Sequence, residues 1–266
     1  MTTTPTVYLI SGATRGIGLA IVTQLATREN TIVFAGARDP SAAKGLQALE
    51  SKYRGKVHIV KLTSPNEVDN KAAVAKVKET AGRLDVVIAN AGISNSYVPS
   101  VEVGLNAMRE NFEINVLGPL VLFQASYPLL KSSSDSPKFI VISTAVGSIQ
   151  IGTTFPIPNL PYGTTKAAVN WLTVKLHYEY PGLSASIGSS QGSNADTHPL
   201  VSVPLHPGAV KTDMTQFAVE LLPDLDNYPM ITTEESATGV LKIVDAAKRE
   251  EEGPKLMNYD GTTLPW

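Results

Sequence analysis

The chain has 266 residues, a formal net charge of −2 from 22 basic and 24 acidic side chains, and no cysteine. That length suits one α/β domain around a single large core. The balanced charge offers nothing to attract nucleic acid or an anionic membrane, and the lack of cysteine excludes disulfides, thiolate nucleophiles and cysteine-based metal sites. With 43% hydrophobic and 17% charged residues, the composition is that of a folded chain. Met1 to Thr6 is polar and lacks the pattern of a secretory signal. No apolar run reaches the ~20 residues that span a bilayer, so stable membrane insertion is not expected and a cytoplasmic location is.

In chain order, Val7 to Ile10 reads as a short buried strand, followed by a glycine-rich turn from Ser11 to Gly18. Leu19 to Glu29 has helical apolar spacing, and Thr31 to Ala35 is a second strand. Pro40 to Tyr53 reads as a helix, Val57 to Val60 as a third strand, Val68 to Ala81 as a helix and Leu84 to Ala89 as a fourth strand. Leu105 to Leu130 reads as one long helix, bent or broken near Gly118-Pro119. Lys138 to Ser143 is a fifth strand, Thr164 to Tyr178 a helix, and Val201 to Leu205 a sixth strand whose end Pro204 makes irregular. Lys255 to Asn258 is a candidate seventh. This alternation predicts a single-domain, Rossmann-type, doubly wound parallel β-sheet with helices on both faces, spanning residues 1–266. Residues 182–199, rich in Ser and Gly, read as an inserted surface loop, with a partner-binding rim as the alternative. Residues 214–231 read as a substrate-loop region containing a helical stretch.

The turn Gly12-Ala13-Thr14-Arg15-Gly16-Ile17-Gly18 lies between a strand and a helix. Backbone N–H groups at a helix start hold a pyrophosphate, and absent side chains let it approach. The glycine spacing is wider than in the commonest dinucleotide fingerprint, so the strand–turn–helix context carries the reading. Arg38 follows the second strand, the place where a dinucleotide fold meets the adenosine ribose. A guidinium there suits a 2′-phosphate, as a carboxylate would suit two ribose hydroxyls. With Arg15 as a second positive group, NADP(H) is expected over NAD(H). Asp39 is expected to serve the turn or the next helix cap.

Tyr162 and Lys166 are four residues apart, on one face of a helix. A phenol has an ordinary pKa of about 10, and a neighbouring ammonium favours its ionised form. Such a pair protonates a developing alkoxide or takes the proton of an alcohol. The spacing is common on any helix; its position after the fifth strand is what points to a site. Ser143 and Thr144, at the end of that strand, offer a hydroxyl for a carbonyl oxygen. His58, His177, His198 and His206 show no ligand spacing, so no metal is expected.

With these motifs in this order, the chain resembles the short-chain dehydrogenase/reductase family over nearly its whole length. Ser11 to Gly18 resembles the family's cofactor motif, Asn90-Ala91-Gly92 its motif after the fourth strand, and Pro207-Gly208-Ala209-Val210-Lys211-Thr212 its late cofactor-contacting loop. The resemblance makes Tyr162 the acid/base and Lys166 the group that lowers its pKa and binds the nicotinamide ribose. Asn115 would position a water beside that lysine. The family's catalytic serine stands three residues before a glycine, which selects Thr144, before Gly147, with Ser143 as the fallback. Leu62-Thr63 stands where many relatives carry an aspartate near adenine, so Thr63 would make a weaker contact. The strand before Gly147 and the tail from Asn258 to Trp266 are similar to fungal carbonyl reductases of the norsolorinic acid ketoreductase-like group. This implies an NADPH-dependent, reversible reduction of a ketone, aromatic or polyketide-like. Ser94 to Pro99, Gly147 to Pro161 and Met214 to Ile231 would rim the pocket, with Phe155, Phe217 and Tyr228 as an apolar wall. A homodimer or homotetramer is expected, with Leu117 to Leu130 and the helix of Leu172 and Leu176 as contacts. The alternative is an NADP-binding sensor or interaction protein, weak or inactive in catalysis, on the same scaffold.

Overall fold

The computed structural model describes residues 4–133, 136–181 and 198–266. Its centre is an eight-stranded sheet of order β3-β2-β1-β4-β5-β6-β7-β8. The strands are β1 (Thr6–Ile10), β2 (Thr31–Ala37), β3 (Val57–Lys61), β4 (Val86–Ala89), β5 (Lys138–Ile142), β6 (Val201–His206), β7 (Leu256–Asn258) and β8 (Thr263–Leu264). Pairing is parallel through β7, and β8 turns back antiparallel along β7. The helices are α1 (Gly16–Thr27), α2 (Lys44–Lys52), α3 (Glu67–Ala81), α4 (Leu105–Phe112), α5 (Gly118–Leu130), α6 (Leu160–Glu179), α7 (Asp213–Leu221) and α8 (Thr233–Ala246).

Strand alternation divides the core into two layers. Tyr8, Ile10, Val86 and Ile140 face α1, α2 and α8, packing on Ile21, Leu25, Leu46 and Val240. Val7, Leu9, Val87 and Phe139 face α3, α5 and α6, packing on Val77, Leu122, Phe123 and Val169. Both sheet faces are thus covered, which is why the strands read as near-continuous apolar runs. The doubly wound reading holds. The chain winds outward from β1 to β3, then returns to place β4 on the other side of β1. A crevice therefore opens at the C-terminal ends of β1 and β4, where such folds bind their ligands.

Several elements differ from the sequence reading. The stretch 105–130 does break beside Gly118-Pro119, but the break is a π-helical turn and not a kink at the proline. A π-helical turn, Glu113–Leu117, joins α4 to α5, and Pro119 sits in the first turn of α5, where its missing N–H costs nothing. Pro40 begins a short 3-10 turn, Pro40–Ala42, before α2, and Asp39 Oδ1 accepts from Ser41 N and Ala42 N. Pro204 lies within β6. Val201 N donates to Pro137 O and Ser143 N to Leu205 O, so alternate residues face β5 and Pro204 faces away from it. On that side β7 pairs only from Leu205 onward, so no ladder bond is lost. The helix α8 and the strand β8 were not expected. Of the apolar residues expected to join subunits, Leu122, Leu129, Leu130 and Leu176 are buried in the chain's own core, whereas Leu117 and Leu172 are half-buried. The proposed surface loop at 182–199 falls outside the described residues except for 198 and 199. Among the described residues no helix is long and apolar enough to cross a membrane.

Candidate active site

The two loops at the switch point are tied to each other. Ser11 Oγ accepts from Asn90 N at 3.0 Å and Ala91 N at 3.1 Å. Asn90 Nδ2 returns bonds to Ser11 O at 3.1 Å and Gly12 O at 3.0 Å. Gly12 has φ of 63°, and a Cβ there would stand 2.8 Å from Ala91 Cα, so only glycine fits. Gly16 has φ of 56° but meets only the Thr212 methyl, 3.6 Å from where its Cβ would be. Thr14 and Gly16 line this turn half-buried, and Ile17 packs on the core. The N-terminus of α1 carries no side-chain cap. Its first N–H groups face an open cradle that a side chain would fill, a fit for an anion such as a pyrophosphate.

Arg38 is exposed just past β2. Leu62 N donates to Ala37 O, which sets Leu62 and Thr63 beside it. Asp39 is bound into its own turn, as expected. Arg15 is exposed and pairs with Asp213 of α7 at 2.6 Å. That contact spans the cradle from the glycine turn to the late loop. In that loop Val210 pairs with Ile231, Gly208 packs on Ile231 and Tyr259, and Thr212 caps α7 in a capping box with Thr215. Asp213, distant in sequence, was not foreseen.

The candidate reacting groups gather at the end of β5. Lys166 is buried, and its Nζ donates to Ile142 O at 2.7 Å. It stands 5.5 Å from the centre of the Tyr162 ring. Burial lowers the Lys166 pKa to about 8. Tyr162 is half-buried. Its pKa is raised, first by burial and then by the phenol of Tyr97. The lowering expected from Lys166 is absent in the chain alone, because desolvation dominates. The π-helical turn carries Asn115 inward. Its Oδ1 accepts from Ile93 N at 2.8 Å, and its Nδ2 donates to Ile93 O at 2.9 Å and Thr165 Oγ1 at 3.0 Å. Gly92 brings this network to the lysine: a Cβ there would lie 3.2 Å from Asn115 Oδ1 and 3.6 Å from Lys166 Nζ.

Ser143 and Thr144 differ sharply. Ser143 Oγ donates to Asn170 Oδ1 inside the core. Thr144 Oγ1 accepts from Val146 N at 3.3 Å, which leaves its hydrogen free to donate. Gly147 permits this approach, since a Cβ there would stand 2.7 Å from the Lys166 carbonyl carbon. Among the described residues no group of three or more His, Asp or Glu could hold a metal. Of the anticipated apolar wall, Phe217 packs edge-on to Tyr97 with ring centroids 6.1 Å apart. Phe155, Phe217 and Tyr228 are all exposed. The contacts of Tyr97 and Ile142 had no local sequence signal.

Known proteins are similar to this chain over nearly its whole length. An uncharacterized oxidoreductase of Schizosaccharomyces pombe is 36% identical over 100% of both chains. Norsolorinic acid ketoreductase of Aspergillus parasiticus is 31% identical over 98% of this chain and 91% of its own. The NADPH-bound carbonyl reductase from chicken fatty liver superposes with a TM-score of 0.82 at 31% identity, over 99% of this chain and 100% of its own. The short chain dehydrogenase family matches residues 6–221. With its glycine turn at the switch point and its Tyr162–Lys166 pair at the end of β5, the chain belongs to the short chain dehydrogenase family of oxidoreductases.

Proposed function

We propose that this protein is an NADPH-dependent carbonyl reductase that reversibly converts a ketone to a secondary alcohol. The observation that carries the reading is the convergence of a half-buried phenol, a buried ammonium and a donor-ready threonine hydroxyl beside the crevice. The NADPH bound by the chicken enzyme supports the cofactor. The cradle at Gly12, Thr14, Gly16, Ile17 and Gly18 would take the pyrophosphate. Arg38, helped by Arg15, would take the 2′-phosphate. Leu62 and Thr63 would border adenine. Asn90, Ala91 and Gly92 with Pro207, Gly208, Val210 and Thr212 would hold the nicotinamide half. Tyr162 and Lys166 would border its ribose. When bound, the cofactor supplies the hydride.

The chain's own residues handle the oxygen. Thr144 donates a hydrogen bond to the carbonyl oxygen as charge develops. Its neighbour Ser143 has its proton committed to Asn170, so Thr144 is the better donor. Tyr162 remains protonated because its pKa is raised, and it gives that proton to the alkoxide oxygen. Lys166 spends one N–H on Ile142 O and keeps two for the ribose and a water. Asn115 is a positioning residue that fixes the wall around the lysine. Residues 214–231, with α7 and its Phe217, form one side of the substrate pocket. The similarity to the Aspergillus parasiticus enzyme favours an aromatic or polyketide-like ketone.

The test is NADPH oxidation against a panel of ketones, with NADH run in parallel. Ketone-dependent oxidation faster with NADPH is the expected result. Cofactor binding without any ketone-dependent oxidation would favour a sensor, and absence of both an interaction protein.

A further inference from the structure

The hairpin of β7 and β8 touches the candidate site from two sides, and its turn is locked from within. Gly261 N donates to Asn258 O and Asn258 N to Thr262 O, each at 2.8 Å. Asp260 Oδ1 accepts from Thr262 N at 2.8 Å and from Thr262 Oγ1 at 2.6 Å. An aspartate that bonds the backbone two residues on holds its own turn, so the hairpin acts as a stiff unit.

On one side stands Tyr259. Its N–H donates to His206 O at 2.9 Å, directly before the late loop 207–212. A Cβ on Gly208 would lie 3.0 Å from two carbons of the Tyr259 ring, and one on Gly239 of α8 would lie 2.9 Å from a third. The ring is therefore wedged between the late loop and α8, packed too closely for a side chain at either glycine. On the other side stands Trp266, just beyond β8. Its carbonyl accepts from Gln150 N at 2.9 Å. Gln150 belongs to a run of turns that starts at Thr144. Gly147 N donates to Thr144 O, Ser148 N to Ala145 O and Gly152 N to Ser148 O. Trp266 is 44% exposed, so its backbone rather than a buried ring makes the link.

We propose that this hairpin is a positioning element for the reduction. Tyr259 sets the loop that would hold the nicotinamide half, and the Trp266 carbonyl sets the turn that carries Thr144. The proposal rests on the carbonyl-reductase reading and adds two positioning residues to it. A stiff unit bound to both loops fixes the distance between the cofactor and the hydroxyl that binds the carbonyl oxygen. Small misplacements of reacting groups are costly in rate, so the hairpin matters to turnover although neither residue is asked to touch the reacting atoms.

The experiment separates the two contacts. NADPH affinity is read by fluorescence titration, kcat on the ketone of the panel that the wild type reduces fastest, and folding by the urea midpoint. Tyr259→Ala should weaken NADPH binding about tenfold, and Tyr259→Phe, which keeps the ring, should restore it. A chain ending at Leu264 should lose about tenfold in kcat with NADPH affinity held. Trp266→Ala keeps the carbonyl and should retain that kcat. Either loss missing, or both constants falling together in step with the urea midpoint, would overturn the proposal, as would a kcat lowered equally by Trp266→Ala and by the shortened chain. If the wild type binds no NADPH or reduces no ketone, the reductase reading fails instead. Amide hydrogen exchange then decides the hairpin: 207–212 should exchange faster in Tyr259→Ala and 144–152 in the shortened chain, and unchanged protection in both would overturn its hold on the loops.

Discussion

Lys166 is the residue through which pH should act. Burial brings its pKa down to about 8, so it is charged below that pH and neutral above. In the proposed reaction its charge would hold the ribose and support proton delivery through Tyr162. The kcat/KM for reduction should therefore fall as pH rises through about 8, and a profile flat to strongly alkaline pH would contradict this. Arg38 should choose the cofactor. Arg38→Ala should raise the KM for NADPH roughly tenfold or more with little change for NADH, since a charge-assisted bond to phosphate is worth about 1.5–3 kcal/mol. His206 bears on stability instead. Burial lowers its pKa to about 4 from the ordinary 6.5, so the unfolded chain binds its proton first. Its contribution is present above pH 6.5 and lost as pH falls toward 4. Urea midpoints should drop across that window, and His206→Gln should flatten the drop. At this scale, Tyr162 and Lys166 were proposed from their spacing together with their place after the fifth strand, and Asn115 from the family resemblance alone. The choice of Thr144 over Ser143 could be read only from the register with Gly147. The proton that Ser143 gives to Asn170 crosses from strand to helix, and no local pattern shows it.

The π-helical turn between α4 and α5 is the element that seats Asn115. Its carboxamide bonds both backbone groups of Ile93 and the hydroxyl of Thr165. Asn115→Ala would leave buried partners unmet and should cost about 2–3 kcal/mol, read by urea denaturation. A loss below about 0.5 kcal/mol would show that the network carries little. In 105–130 Gly118-Pro119 marked the break but not its π form, because a π turn adds one residue to a turn and no residue type marks that. The helix α8 was overlooked although its signal was present. Thr232 and Glu235 form a capping box ahead of an apolar run. Lys138 closes the other end by donating to Val244 O and Asp245 O, a link that only the folded chain brings together.

The doubly wound sheet was legible because parallel strands buried on both faces leave apolar runs separated by helical periods. The antiparallel β8 was not, since a two-residue strand has no period. The crevice follows from strand order, and the site follows from the crevice. On the outer surface, Trp171 of α6 is 69% exposed. A large exposed ring of this kind suits a subunit contact. If the proposed homo-oligomer uses it, Trp171→Glu should lower the mass found by light scattering, and an unchanged mass would place the contact elsewhere. The most direct test of the central claim sets ketone-dependent NADPH oxidation by the wild type against that by Tyr162→Phe, with NADPH affinity measured on both. The account predicts a loss of turnover of about a hundredfold or more with affinity nearly intact, whereas equal turnover by the two proteins would contradict the role of Tyr162.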